Sequence, residues 1–218
     1  VNNPDPPSFL PQPDLSRGER VTRESVREFL SEDRWGTFTH MLACLLSLPA
    51  EGKRVIVHDD PEHVAQWIGA LSYSLPPHCA AGVAFSTYEY NPLDADWRIV
   101  GAVAEGTKYD AMTNAAFVFD LVNGSAPQRR LPRSLEEFLE VGLLIAPDSL
   151  GPFYSFVEAS FPAYRVCDET LYGAYALYEL EQGVFSVESL APACAMLSAH
   201  ASDAQRTVFL ERVLSGPI

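Results

Sequence analysis

Apolar residues recur at helical spacing in the first quarter of the chain and predict helices there. Pro49 and Gly52 are the expected end of this helical part, because one lacks the backbone N–H and the other adopts conformations outside the helix. The pattern predicts two helices, or one helix broken at Gly36. Its apolar positions are Val21, Val26, Phe29 and Leu30, followed by Phe38, Met41, Leu42, Leu45 and Leu46.

The run Val55-Ile56-Val57 is apolar at every position, which is typical of a parallel strand covered on both faces. It predicts a central strand. Asp60 and Pro61 follow it, and an aspartate before a proline is a common start of a helix. The expected buried positions of this helix are Val64, Trp67, Ile68, Leu71 and Leu75.

The segment 83–90 is rich in aromatic and β-branched residues and predicts a second strand, which completes a βαβ crossover. Two further strands are expected at 97–103 and 115–122, and the turn pair Asn123-Gly124 closes the last one. These elements predict an α/β unit with a small, mixed sheet.

From residue 134 onward the apolar spacing is helical throughout, so we expect an all-α unit after the α/β unit. Ser134 and Glu137 have the spacing of a capping box, and the expected stripes of the later helices include Val187 and Leu210. The predicted organisation is a proline-rich arm or linker over 1–20, an α/β domain over 21–133 and an acidic helical domain over 134–218.

Charge narrows the possible partners. The 218 residues carry a formal charge of −14, of which −9 lies in residues 135–218, so we expect neither nucleic acid nor an anionic membrane surface as a partner. No signal peptide or membrane helix is visible, and the four cysteines are far apart. We therefore expect a cytoplasmic protein with free thiols. The chain begins Val1-Asn2-Asn3 without an initiator methionine, so we also expect it to be a piece of a longer chain.

The residues best suited to catalysis or metal binding are His58-Asp59-Asp60. They directly follow the first predicted strand, and open parallel sheets bind ligands at that end of their strands. If Asp94 and Asp96 lie at the same end of the sheet as Asp59 and Asp60, these four aspartates supply the oxygen ligands for Mg²⁺. His58 would then serve as an acid or base. A simpler interpretation assigns Asp59 and Asp60 to the helix start and the other two to turns. The chain has no glycine-rich phosphate-binding motif.

Two groups of residues are candidates for contact with a protein partner. Tyr172, Tyr175 and Tyr178 recur at a spacing of three, which turns about 60° per step around a helix and directs at least one ring away from the core. Arg129 and Arg130 belong to the densest basic cluster, which suits an acidic partner or the acidic tail of the same chain.

Some of these residues also carry a family resemblance. The run 55–61, Trp67-Ile68, Leu75-Pro76, the segment 85–88 and Asn91-Pro92 resemble the middle domain of the bacterial GTPase-associated protein family. The resemblance covers about residues 54–101 and implies a multidomain protein that works beside a small GTPase in a conflict or signalling system. It implies no catalytic residues.

Two functions follow from these observations. The first is a non-catalytic interaction or adaptor module that binds a protein, with a GTPase as the implied partner and no cofactor. The alternative is a Mg²⁺-dependent phosphoryl or phosphodiester hydrolase that uses His58 with the aspartates.

Overall fold

The protein is described here from a computed structural model, which covers residues 21–31, 33–104, 106–108, 113–164, 168–184 and 186–215, the last four without side chains. The proline-rich arm expected over 1–20 lies outside the described residues.

Two helices precede the sheet, as the apolar spacing predicts. Helix α1 spans Arg23–Leu30 and begins with a capping box in which Thr22 and Ser25 bond each other's backbone N–H. Helix α2 spans Trp35–Glu51 and continues through Pro49. It ends at Gly52, which has a φ of 64° and donates its N–H to the carbonyl of Leu48. That left-handed conformation is readily adopted only by glycine.

Four strands form one parallel sheet with the order β2-β3-β1-β4. The expected fold class, an α/β unit followed by helices, is confirmed, whereas the expected mixed sheet is wrong because every pair of named strands is parallel. The strands are β1 (Arg54–His58), β2 (Phe85–Ser86), β3 (Ile99–Ala102) and β4 (Ala116–Asp120). The crossover from β1 to β2 therefore passes over β3, which lies between them.

Strand β1 is central and covered on both faces. Val55 and Val57 face the large core together with Ile99 and Phe119. Ile56 faces the opposite side, in a small cluster with Val100, Ala102, Ala116 and Val118 against which Leu93 and Ala95 pack. This two-sided burial explains why β1 lacks alternating polar residues.

Helix α3 (Pro61–Tyr73) follows β1 and begins as its sequence predicts. The carboxylate of Asp60 accepts the N–H of Glu62 at 2.9 Å, and Pro61 occupies the first helical position. All five of the predicted apolar positions, Val64, Trp67, Ile68, Leu71 and Leu75, are buried. A short helix, α4 (Pro77–Ala80), connects α3 to β2.

The second part of the chain is helical. It contains α5 (Arg133–Glu140), α6 (Leu150–Ser160), α7 (Thr170–Glu181), α8 (Leu190–His200) and α9 (Asp203–Ser215). A π-helical turn over Val141–Ile145 continues α5. The capping box expected at Ser134 is wrong, since α5 begins after Pro132 without a side-chain cap. Val187 and Leu210 are exposed rather than buried.

One large apolar core runs through both parts of the described chain, from Val26 in α1 to Phe209 in α9. Tyr154 of α6 is buried in it and donates its hydroxyl to the carbonyl of Tyr73 at the end of α3. Among the described helices, none is both long and apolar enough to cross a bilayer.

Candidate functional site

The carboxyl ends of the neighbouring strands β1 and β4 lie at the topological switch point of the sheet. From β1 the chain builds β2 and β3 on one side, and β4 is then added on the other side. Open α/β sheets bind ligands at such a position. The structure thus places His58, Asp59 and Asp60 at the carboxyl end of the sheet, as their position in the sequence predicts.

His58 is paired with a residue that the sequence analysis did not single out, Asp120 at the end of β4. The two side chains are buried, and Nδ1 of His58 donates to Oδ1 of Asp120 at 2.9 Å. Asn123 also donates its backbone N–H and its amide to this carboxylate, at 3.2 and 2.8 Å. Burial acts to raise the pKa of Asp120, but the hydrogen bonds from Asn123 and His58 outweigh it and hold this pKa below its usual value.

Asp59 holds the start of α3 against the sheet. Its Oδ2 accepts the indole N–H of Trp67 at 2.9 Å. Its Oδ1 accepts the backbone N–H of Asp60 at 2.8 Å and Nδ1 of His63 at 3.2 Å. Asp59 and Asp60 thus fix the turn between β1 and α3, as the simpler interpretation of the sequence expects.

A shallow polar cleft with a volume of about 720 Å³ opens beside these residues. It is lined by Asp59 and His63 on the side of α3, by Arg34 at the start of α2, and by Ser125 and Gln128 after β4. The guanidinium of Arg34 lies 4.4 Å from the ring centre of Phe29 and donates to the carbonyl of the same residue at 3.1 Å. Two of the charged groups of the cleft, Asp59 and Arg34, thus bond neighbouring parts of the chain.

The four aspartates of the magnesium hypothesis do not converge. Arg54, at the amino end of β1, donates to the carbonyls of Pro92 and Ala95, so Asp94 and Asp96 lie at the end of the sheet opposite to Asp59 and Asp60. Strand β1 separates the two ends by roughly 13 Å. Over the residues that the structure describes, there is no group of three or more His, Cys, Asp or Glu side chains placed to hold a metal ion.

The three tyrosines of α7 lie against other helices. Tyr175 is buried, with its ring 4.8 Å from that of Phe138, and burial raises its pKa. Tyr178 is half-buried, 5.5 Å from Phe153, and Tyr172 is half-buried as well. The drift around the helix leaves Tyr172 and Tyr178 partly exposed without directing any of the three rings fully into solvent.

Arg129 and Arg130 differ in their surroundings. Arg129 pairs with Glu51 at the end of α2 and lies 3.9 Å from Glu169, which precedes α7. Its guanidinium also lies 5.2 Å from the ring centre of Phe117. Arg129 thus contacts the acidic helical part of its own chain, whereas Arg130 is exposed.

The sheet edge formed by β2 carries a set of exposed aromatic side chains. Within the described residues, every aromatic side chain with large exposure lies between positions 85 and 97. We call this set the aromatic surface; it consists of Phe85 (48% exposed), Tyr88 (47%), Tyr90 (62%) and Trp97 (42%). The surface lies at the opposite edge of the sheet from β4, roughly 14 Å across the strands.

The aromatic surface is held in place by hydrogen bonds and by one close backbone approach. The indole N–H of Trp97 donates to Glu89 at 2.8 Å, and the hydroxyl of Tyr88 donates to the carbonyl of Gly106 at 2.9 Å. A β-carbon on Gly101 would lie 2.1 Å from the carbonyl oxygen of Thr87, so this position requires glycine. Ordered aromatic side chains of this kind are typical of protein interfaces.

The sequence pattern does not predict the aromatic surface, because the composition of 83–90 indicates one strand of the sheet. Strand β2 is limited to Phe85–Ser86. Among the residues that the structure describes, β2 bonds only β3, and no other strand covers the rings beyond it. The signal in the sequence is the close spacing of four aromatic residues around the turn formers Asn91-Pro92.

Comparison with known proteins confirms the resemblance seen in the sequence. Residues 26–123 match the family described as GTPase-associated protein 1, middle domain. The match includes α2, the whole sheet and the aromatic surface, and it ends before the helical part.

A segment of the chain is also similar to a curated protein, the putative ESX-1 scaffolding and assembly protein SaeB of Mycolicibacterium smegmatis. The two are 33% identical over 84 residues, which is 37% of this chain and 10% of that protein. No solved structure matches the chain.

Proposed function

We propose that this chain is a non-catalytic adaptor module that binds a small GTPase through the aromatic surface. The single observation that carries this proposal is the concentration of exposed aromatic side chains on the β2 edge, inside the segment that matches a GTPase-associated family. Aromatic residues supply most of the binding energy at many protein interfaces, because a large ring loses little conformational freedom on binding.

The comparisons support an adaptor role. The matching family is described as GTPase-associated, and the similar mycobacterial protein is described as a scaffolding and assembly protein. Both descriptions name proteins that work through other proteins. The nucleotide chemistry would reside in the partner, since this chain carries no glycine-rich phosphate-binding motif.

The polar residues at the carboxyl end of the sheet support the non-catalytic part of the proposal. Asp59 bonds Trp67, Asp60 caps α3, and Asp120 bonds His58 and Asn123. These bonds orient structural elements around β1. The side chains that an enzyme would use for acid–base work are therefore engaged in holding the sheet and α3 together.

A binding measurement tests the proposal. The chain is titrated by calorimetry with the small GTPase encoded beside its gene, loaded either with GDP or with a non-hydrolysable GTP analogue. We expect binding to one nucleotide state that is at least tenfold tighter than to the other. A Phe85→Ala, Tyr90→Ala double variant should bind at least about 30-fold more weakly, which corresponds to the loss of a hot spot worth ~2 kcal/mol.

The matched control is Val122→Ala, which truncates an apolar side chain that is 54% exposed beyond the opposite edge of the sheet. It should bind the GTPase as the wild type does. The proposal is wrong if the GTPase binds in neither nucleotide state, or if the double variant retains wild-type affinity while its circular dichroism spectrum is unchanged.

A further inference from the structure

The helical part of the chain contains a cavity that lies outside the segment matched by the GTPase-associated family. The cavity has a volume of about 350 Å³ and lies between the start of α5, helix α7 and the short turn Val187–Ser189 that precedes α8. Tyr172 and Tyr175 of α7 line it. Pockets that enclose a small molecule usually measure about 300–1,000 Å³, so this cavity has the size for one long side chain.

The lining of the cavity is acidic. Among the described residues it includes one arginine, Arg133, and three glutamates, Glu137, Glu179 and Glu188, with a formal charge of −2. Arg133 pairs with Glu137 at 2.7 Å, and 91% of the arginine side chain is exposed. This arginine therefore balances one carboxylate and leaves the interior of the cavity open.

The other two glutamates keep their charge. Glu179 accepts the hydroxyl of Tyr175 at 3.1 Å, and a neutral donor does not cancel the charge of a carboxylate. Glu188 is exposed, and its carboxylate forms no ion pair within the described chain. Burial raises the pKa of Tyr175, and Glu179 and Glu137 raise it further because they oppose a second negative charge. The same field favours a cation in the cavity.

The arrangement of the lining favours an extended organic cation over a metal ion. In the part of the chain that the structure describes, no three His, Cys, Asp or Glu side chains are placed to hold a metal ion, so these glutamates surround a space instead of one point. A guanidinium group is planar, donates several N–H groups to carboxylates at once and stacks on aromatic rings. An arginine side chain therefore suits both the glutamates and the tyrosines of the cavity.

Exposed apolar side chains beside the cavity favour an arginine that belongs to a protein. Val187 is 75% exposed and lies in the chain between Ser186 and Glu188, which both line the cavity. Val184, two residues before Ser186, is 54% exposed. A polypeptide that carries the arginine would cover these valines with its neighbouring residues, whereas a free amine would leave them in water.

We propose that this cavity binds an arginine side chain on the surface of a partner protein. The guanidinium bonds Glu179 and Glu188 and lies against the two tyrosines, and the residues beside the arginine cover Val187. The proposal does not depend on the aromatic surface or on a GTPase, because the cavity lies outside the matched segment 26–123.

Two short peptides test the proposal on the whole chain. Both have a leucine on each side of a central residue, which is arginine in one peptide and citrulline, its uncharged analogue of similar shape, in the other. NMR titration of the isotope-labelled chain should show the arginine peptide binding at least tenfold more tightly, because charged hydrogen bonds are the stronger ones. Its affinity should fall as salt is added, and the largest shifts should occur in 172–179 and 186–189.

The double variant Glu179→Gln, Glu188→Gln removes two charges and keeps an acceptor for the hydroxyl of Tyr175. It should bind the arginine peptide at least tenfold more weakly. Glu158→Gln is the matched control, since Glu158 is exposed on α6 and does not line the cavity. It should change the affinity by less than about twofold.

Three results would overturn the proposal: no binding of the arginine peptide to the wild type, equal binding of the two peptides, or equal affinity of the double variant and the control. A further titration uses acetylarginine amide, which carries the guanidinium without the leucines. It should bind at least about threefold more weakly than the arginine peptide, because it leaves the valines uncovered. Equal affinity would show that the cavity takes a free guanidinium compound and not a partner's arginine.

Discussion

Two aspartates at the carboxyl end of the sheet each accept three hydrogen bonds from the chain around them. Asp59 accepts from Asp60, His63 and Trp67. Asp120 accepts once from His58 and twice from Asn123. A carboxylate that is partly withdrawn from water is stable only when such donors replace the lost hydration. At this scale, Asp59, which looks catalytic in the sequence, and Asp120, which the sequence does not single out, both connect strands and helices through hydrogen bonds.

The variant Asp120→Asn tests this role. Because the pKa of Asp120 is lower in the folded chain than its usual value, ionised Asp120 contributes stability above its unfolded pKa of about 4. That contribution is lost as the pH falls through the lower, folded pKa. At pH 7 the variant should lose about 1–3 kcal/mol of unfolding free energy. The difference in unfolding free energy between the variant and the wild type should become smaller as the pH falls.

Urea unfolding from pH 7 down to pH 3 measures both effects. Asp203→Asn is the control, because Asp203 has 99% of its side chain exposed and forms a surface pair with Arg206. Its effect should be small at every pH. If Asp120→Asn lowers the unfolding free energy by the same amount from pH 7 to pH 3, the stabilising role assigned to ionised Asp120 is wrong.

Cysteine reactivity offers a second test at the residue scale. Cys44 is buried in α2, and this burial raises the pKa of its thiol to about 11, whereas Cys194 is exposed on α8. Since the thiolate is the reactive form, iodoacetamide at pH 8 should modify Cys194 well before Cys44 or the buried Cys79. Peptide mapping by mass spectrometry distinguishes the sites. Urea should equalise their rates, and fast native labelling of Cys44 would disprove this account of its burial.

At the scale of elements, the short edge strand β2 decides where aromatic residues are exposed. Strand β2 pairs with β3 through Phe85 and Ser86, and the chain then returns to the amino end of β3 through a loop. Glu89 donates its N–H to the carbonyl of Gly101 at 3.1 Å, which keeps this loop against the sheet. The loop presents Tyr88 and Tyr90 outward because no further strand of the described chain lies beyond it.

The variant Gly101→Ala should disturb this element. Its added methyl group would lie 2.1 Å from the carbonyl oxygen of Thr87 and 2.6 Å from Val64 of α3, so one of the elements must move. We expect a loss of about 2–3 kcal/mol in unfolding free energy. Tryptophan emission should also shift, since Trp97 lies close to the displaced loop.

Gly36→Ala is the matched control. Among the described residues, no heavy atom outside its chain neighbours and the nearby backbone of α2 lies within 4 Å of the position that its β-carbon would occupy. That variant should be neutral or more stable by up to about 1 kcal/mol. Thermal unfolding followed by circular dichroism compares the two variants, and equal effects would refute the importance of the close approach at Gly101.

At the scale of the whole molecule, the α/β part and the helical part share one apolar core. Tyr154 of α6 bonds the carbonyl of Tyr73 after α3, and Sγ of Cys79 lies 4.0 Å from the carbonyl of Tyr164. Arg129 adds ion pairs with Glu51 of α2 and Glu169 before α7. Elements that share a core lose their stability together when part of that core is exposed.

We therefore expect a single cooperative unfolding transition. The three tryptophans lie at positions 35, 67 and 97, so tryptophan fluorescence reports on the α/β part alone, whereas far-ultraviolet circular dichroism reports mainly on the helices. Both signals should have the same midpoint and slope in urea. Two separate transitions would show instead that the boundary expected at 133–134 divides independently stable domains.

Much of the fold could be predicted from local patterns. The spacing of apolar residues located α1, α2 and the later helices, the apolar run of β1 indicated a strand covered on both faces, and Asp60 with Pro61 marked the start of α3. Each of these signals depends on neighbouring residues. The match of residues 26–123 to the GTPase-associated family agrees with the resemblance that about residues 54–101 show in the sequence.

The amino-acid sequence by itself thus determined the helices, the central strand and the order of an α/β part before a helical part, because periodicity and capping act over a few residues. Only the tertiary structure decided the strand order, the separation of Asp94 and Asp96 from Asp59, and the pairing of His58 with Asp120. It also decided that Tyr175 is buried while Tyr90 is exposed. These features depend on contacts between residues far apart in the chain, and a local pattern does not specify which distant surface will cover a given side chain.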